Sequence, residues 1–175
     1  MLFYDVFKTS LSWVGILLSA HGIIKSAMGT DPEQVLERLG SQINKAIYNP
    51  VKLTKVRGCL EAFSNGDFYA LDGITLDLEY APPFYCRAWK VCRKIPPGET
   101  RSYAWLAQAA GSPRAFRAAG HAMKKNPLPP IVPCHRVVGS DGNLRGYNGG
   151  IEIKARLLKH EQRSINRAQS NFRVF

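Results

Sequence analysis

Residues 101–127, RSYAWLAQAAGSPRAFRAAGHAMKKNP, decide how the second half of this 175-residue chain is built. Ser102 is placed to cap a short helix running to Ala110, and Gly111 stands at the C′ position, where a left-handed residue is wanted. Ser112-Pro113 then offers an N-cap and a first helical residue for a second helix ending near Lys125. Two short helices with Leu106 and Ala107 ahead of Gly111 match a helix-turn-helix. The second helix interleaves Arg114, Arg117, Lys124 and Lys125 with Ala115, Ala118, Ala119 and Ala122. A helix that only packs inside a protein needs larger apolar residues. Small ones let it approach a nucleic acid closely, and the cations pair with phosphates.

The charge of the whole chain follows the same division. Residues 1–80 hold 7 Lys/Arg against 9 Asp/Glu, a net of −2, whereas residues 81–175 hold 17 against 4, a net of +13. The pattern describes an ordinary N-terminal half joined to a C-terminal half that meets a polyanion. Four cysteines, Cys59, Cys86, Cys92 and Cys134, are too few and too scattered for a disulfide framework and lack zinc-site spacing. A reduced, intracellular setting fits them. The apolar stretch Trp13–Leu18 is far short of the ~20 residues a membrane span needs, and no cationic segment precedes it. A soluble, cytoplasmic protein with no membrane partner is expected.

The N-terminal half reads as strands followed by helices. β-rich segments fall at about 2–7, 12–19 and 22–27. Thr30 or Asp31 caps a helix with Pro32 early in it, and Val35, Leu36, Leu39, Ile43 and Ile47 recur at helical spacing. Asn49-Pro50 opens another helix, with Leu53, Val56, Leu60 and Phe63 on one face and Asn65-Gly66 closing it. In GITLDLEY the alternation of Ile74, Leu76, Leu78 and Tyr80 predicts a strand. Residues 1–80 thus form a small α+β scaffold domain without chemistry of its own. Ala81-Pro82-Pro83 is the expected linker, followed by a helix over about 83–94 in which Cys86 and Cys92 are structural.

The chemistry concentrates in residues 129–147, PPIVPCHRVVGSDGNLRGY. A free thiol near neutral pH is only partly ionised, because its pKa is about 8.5, so a reactive Cys134 needs a base or a cation beside it. In a regular strand Cys134 and His135 face opposite sides, and Pro133 argues against a central strand. Either the backbone turns here and brings imidazole near sulfur, or a water molecule links them. A catalytic histidine also needs an orienting partner, and LLKHEQR offers Glu161. GSDG and YNGG are turns rather than phosphate loops. The residues by themselves leave two readings open: a cysteine nucleophile acting on DNA, or a cysteine hydrolase.

The segments IPPGETRSYAWLA, RAFRAAGHAM, NP and PCHRV, in that order and followed by GSDGNLRGYNGGIEIKARLLKHE, resemble the O6-alkylguanine-DNA alkyltransferase family (methylated-DNA–protein-cysteine S-methyltransferases) over about residues 83–162. The resemblance implies an α+β protein with three parts: a small N-terminal α/β, ribonuclease-H-like scaffold over 1–80, a mostly helical DNA-binding and alkyl-acceptor domain with the helix-turn-helix over 83–162, and a tail over 163–175, either a disordered basic arm or a segment packed on the surface. It implies that Cys134 accepts the alkyl group, that His135 acts as base through a water, oriented by Glu161, that Asn126 supports the active-site turn and that Tyr103 donates to the departing guanine. Arg117 holds the place of the extruded nucleotide, with Ser112, Ser140, Phe84, Arg114, Lys124 and Ala118 as further DNA contacts. Tyr147, Asn148 and Val137 line the base pocket, where Asn148 replaces the small residue common in the family and either narrows or repolarises the space for the alkyl group. The implied activity is DNA repair: O6-alkylguanine, with O4-alkylthymine as a further candidate, is flipped out of duplex DNA and its alkyl group passes irreversibly to Cys134. The alternative is a non-catalytic lesion-binding protein. No cofactor, no metal and a monomeric chain are expected.

Overall fold

The β-rich segments at the start of the chain form an antiparallel meander of β1 (Leu2–Lys8), β2 (Trp13–Leu18) and β3 (Ile23–Gly29). The structure, a computed structural model, describes residues 1–79, 81–145, 147 and 149–172, with side chains through residue 166. The chain divides into two compact units, Met1–Ala81 with Pro127–Ile131, and Pro82–Asn126 with the chain from Val132 on.

In the first unit α1 (Pro32–Leu39) follows the meander, capped by Asp31, whose side chain accepts from the Gln34 amide. Val35 and Leu39 of α1 pack on Leu17 and Ala27, with Tyr4, Val6 and Trp13 around them. Gly15 makes this approach feasible, because a methyl group there would collide with Val35 and Leu39. The apolar spacing predicts a helix continuing towards Ile47, but α1 ends at Leu39. Gly40 adopts φ 76°, a left-handed conformation that terminates helices. Residues 41–45 form a 3₁₀ turn, and β4 (Ala46–Tyr48) runs parallel to β1, completing the order β3-β2-β1-β4. Ile43 still reaches the same core, which is why its spacing imitates a helix, whereas Ile47 is 51% exposed on β4.

On the opposite face of the sheet α2 (Thr54–Ser64) buries Leu60 and Phe63 and sets Arg57 over the Phe7 ring, 4.8 Å from its centroid. Among the described residues, which exclude Tyr80, the strand expected in GITLDLEY is reduced to one bridge, Ile23 to Leu76. The pairing of β2 with β3 shifts register beside Ile23, and an irregularity of this kind bends an edge away from further pairing. Ser26 of β3 holds the returning segment 127–131: its amide donates to the Pro127 carbonyl and its hydroxyl to that of Pro129, each at 2.8 Å.

The second unit contains α3 (Pro83–Cys92), α4 (Tyr103–Ala109), α5 (Phe116–Lys124) and α6 (Ile151–Phe172), with a two-residue parallel pairing of β5 (Arg101–Ser102) and β6 (Val137–Val138). Ser102 caps α4 by accepting from the Trp105 amide, and Gly111 after it has φ 77°. The following helix starts at Phe116 rather than Pro113. Residues 112–115 close a turn instead, the Ala115 amide donating to the Ser112 carbonyl at 2.8 Å, so Arg114 precedes the helix. The Trp89 indole donates to the Ala122 carbonyl at 2.9 Å and ties α3 to α5. α6 continues through Phe172, so residues 163–172 extend the helix instead of forming a disordered arm. No helix among the described residues is long and apolar enough to cross a membrane.

Candidate active site

Pro133 is followed not by a strand but by one 3₁₀ turn, Cys134–Arg136, whose first residue is only 3% exposed. The turn is held from three sides. Asn126, at the end of α5, donates through Nδ2 both to the Val132 carbonyl and to the Cys134 sulfur, each at 2.9 Å. β6 leaves the turn and pairs with β5, which leads directly into Tyr103. From α6, Glu161 and Lys154 reach in, both fully buried. They flank Leu157, also buried, on one helix face.

Burial pushes the Cys134 thiol up to about 11, against the opposing influence of the Asn126 hydrogen bond, the Lys154 charge and the nearby Tyr147 hydroxyl. That hydroxyl is buried and favours the thiolate without meeting hydrogen-bond geometry. At pH 7 a thiol of this kind is ionised in about one molecule in ten thousand. Attack by this sulfur therefore requires that its proton be taken away as the reaction proceeds.

His135 follows Cys134 in the same turn. Its Nε2 lies 2.7 Å from Glu161 Oε1. Glu161 is held down to about 2 by its His135 and Arg136 partners, although burial alone pushes it up, so it is an ionised acceptor at neutral pH. Burial lowers the His135 pKa, more than its carboxylate partner raises it, and the ring is neutral. A neutral imidazole facing a carboxylate carries its proton on Nε2, which leaves the Nδ1 lone pair available. That Nδ1 is buried and without a hydrogen-bond partner among the described residues. Tyr103 is also coupled to the sulfur: burial, then the Cys134 charge, raises its pKa, so the phenol keeps its proton and remains a donor.

Three further residues around the turn were not assigned from sequence. Arg136, 5% exposed, grips Glu161 through Nε (3.0 Å to Oε1) and Nη2 (2.9 Å) and donates through Nη1 to the Ile95 carbonyl at 2.6 Å. Gly98 adds its amide to Glu161 Oε2 at 2.9 Å, at φ 75° and so close to Ile165 that a methyl group would collide with it. Lys154 donates through Nζ to the Val137 carbonyl at 2.7 Å and places a cation near the sulfur. The signal was available: residues 154, 157 and 161 share one helix face with a leucine between the two charges.

Hydrogen bonds thus connect Asn126 to Cys134 and His135 to Glu161, while Val137 is buried and Tyr147 half-buried beside them. Phe84, Ser112, Arg114, Arg117, Ala118, Lys124 and Ser140 lie outside this network. Arg114, Arg117, Lys124 and Ser140 are exposed, and Phe84, Ser112 and Ala118 are half-buried. Asn148 lies outside the described residues. Among the described residues no cluster of three or more His, Cys, Asp or Glu could hold a metal ion.

The family model of the 6-O-methylguanine DNA methyltransferase DNA-binding domain matches residues 83–163. The chain is 45% identical over 109 residues to a methylated-DNA–protein-cysteine methyltransferase of Methanosarcina barkeri, an alignment spanning 61% of this chain and 66% of that one. To the protein of the same name from Methanosarcina mazei it is 39% identical over 132 residues, 74% of this chain and 80% of the relative. The crystal structure of Mycobacterium tuberculosis OGT in complex with DNA superposes with a TM-score of 0.72 at 32% identity, covering 93% of this chain and 94% of that one.

Proposed function

The chain belongs to the methylated-DNA–protein-cysteine methyltransferase family, and from that premise we propose that it repairs O6-alkylguanine in duplex DNA by moving the alkyl group onto its own Cys134. The observation that carries this reading is a deeply buried thiol held by Asn126, followed in the same 3₁₀ turn by a neutral imidazole whose Nε2–H is committed to Glu161.

The Cys134 sulfur attacks the alkyl carbon; an S–C bond forms as the C–O6 bond breaks, and the electron pair departs with the purine. The thiol proton passes through a water to Nδ1 of His135. A buried nitrogen without a protein partner is the kind of group that an ordered water satisfies. Ionised Glu161 steadies the imidazolium that results, and Arg136 and the Gly98 amide keep Glu161 in place. Tyr103 supplies the hydrogen bond or proton that neutralises the departing guanine. A thioether has no easy route back to a thiol, so each chain acts once.

Because Cys134 is almost fully buried, the alkyl group must be brought into the protein, which requires that the nucleotide leave the base stack. The α4–α5 pair acts as the helix-turn-helix that docks the duplex. Arg117 occupies the gap left by the extruded nucleotide, and Arg114, Lys124, Ser112, Ser140, Phe84 and the small Ala118 make the surrounding contacts. Val137 and Tyr147 line the pocket that receives the base.

The test is a titration in which a fixed amount of protein meets increasing amounts of duplex carrying one O6-methylguanine, and restored guanine is counted. Restored guanine should level off at one per chain. Continued production would refute single use and favour hydrolytic turnover.

A further inference from the structure

Among the described residues of the second unit, three large apolar side chains are exposed: Trp105, Phe116 and Ile151. Single exposed apolar residues are ordinary and need no explanation. Phe116 differs because of its surroundings. It opens α5, is 50% exposed, and stands at the border between the buried arc of Ala119, Ala122 and Met123 and the exposed arc of Arg117, His121 and Lys124. The Arg117 guanidinium lies 5.7 Å from its ring centroid. One turn further along, the helix is flat: at Gly120 a methyl group would touch only the Tyr103 ring, at 3.9 Å. Phe116 therefore protrudes beside Gly120, its neighbour one turn along the same face.

The charge around it has one sign. Between Glu99 and Asp141 the sequence contains no acidic residue, while Arg114, Arg117, Lys124 and Lys125 are all exposed. An exposed aromatic ring inside an uncompensated cationic field complements a partner with phosphates outside and flat apolar faces inside, which is a stacked nucleic acid.

We propose that Phe116 is an apolar wedge that enters the base stack of duplex DNA beside Arg117, resting on the reading above that α5 faces the duplex. The ring stacks on a base face exposed when the step opens, and Arg117, held against the ring, follows it in. Wedges of this type unstack base steps where small residues let a helix approach the groove floor. Stacking of this kind is insensitive to base identity and gains nothing from counterion release, so its signature separates from that of a phosphate contact.

The experiment uses the full chain and an undamaged duplex with a 2-aminopurine in its centre, followed by anisotropy over a salt series and by 2-aminopurine fluorescence. The wild type should bind with a steep salt dependence and brighten the probe. K124A should flatten the slope of log K against log salt by about one. F116A should weaken binding about tenfold at every salt concentration with the slope unchanged, and should abolish the brightening; F116L should recover part of both. Wild-type affinity and brightening in F116A would overturn the wedge while leaving the docking of α5 intact. A wild type that binds without salt dependence would overturn the docking and the wedge together.

Discussion

Replacing Glu161 by glutamine tests the central network through its stability. The carboxylate accepts from four N–H groups, those of His135 Nε2, Arg136 Nε and Nη2, and Gly98. Glutamine preserves the shape but leaves the buried Arg136 without its counter-charge, and breaking a buried pair in this way costs about 3–5 kcal/mol. Domains of this size are stable by roughly 5–15 kcal/mol, so E161Q folds but unfolds at lower denaturant. The acid limb isolates the charge. Each tenfold change in proton affinity is worth about 1.4 kcal/mol, so a fall from 4.5 to about 2 in Glu161 stabilises the ionised fold by about 3 kcal/mol. A depressed carboxyl contributes stability that is fully present above 4.5 and is lost as pH falls towards 2. About 2 kcal/mol of it is lost by pH 3. His135, lowered by burial, also loses stability on acidification, but from its ordinary 6.5 downwards and in both proteins. Urea unfolding at pH 7, 5 and 3 should therefore show the wild type and E161Q converging by about 2 kcal/mol between pH 5 and pH 3. A gap that stays constant would mean that Glu161 is not held ionised by its partners, and the tautomer assigned to His135 would lose its basis.

Other consequences can be checked separately. N126A removes the donor to both the Cys134 sulfur and the Val132 carbonyl. It should raise the thiol pKa and slow iodoacetamide labelling of Cys134 at pH 8 about tenfold, which peptide-resolved labelling would measure. Lys154→Met removes a cation near the sulfur and should move the same labelling profile to higher pH while the far-ultraviolet spectrum stays native; an unmoved profile would make Lys154 purely structural. Asp5, fully buried in β1 with neither oxygen in hydrogen-bond geometry and Arg57 Nη1 3.7 Å away, has its pKa raised by burial. A raised carboxyl costs stability at neutral pH and the cost shrinks on acidification. Asp5→Val should stabilise the protein by about 1 kcal/mol at pH 7, and by less at pH 4, in denaturant unfolding.

The sequence revealed most where local chemistry and packing agree. Asp31 and Ser102 cap their helices as their types and positions predict, and the first three strands lie where β-rich runs end at turn residues. It misled where one apolar set serves two elements: Val35 and Leu39 on α1, then Ile43 beyond Gly40, contact the same core from different secondary structure, while Ile47 faces outward. The start of α5 was misplaced because Ser112-Pro113 has cap chemistry, yet the chain uses it to build a turn. In the site, Cys134, His135 and Glu161 were singled out through motif resemblance, and the 3₁₀ turn at Cys134–Arg136 is what turns the sulfur to Asn126 and the two following side chains to Glu161. Arg136 and Lys154 were not read as site residues, since a cation in a basic half is expected at the surface. Only the fold shows that Glu161 and backbone carbonyls are waiting for them inside.

Where the alkyl group goes separates repair from recognition alone. Intact mass measurement after mixing the protein with a duplex holding one O6-methylguanine, followed by peptide mapping, reads this directly. The expected result is a gain of one methyl group per chain, located on Cys134 and complete at one equivalent of DNA. An unmodified Cys134 in a chain that still holds the damaged duplex would contradict it and leave a protein that recognises the lesion without repairing it.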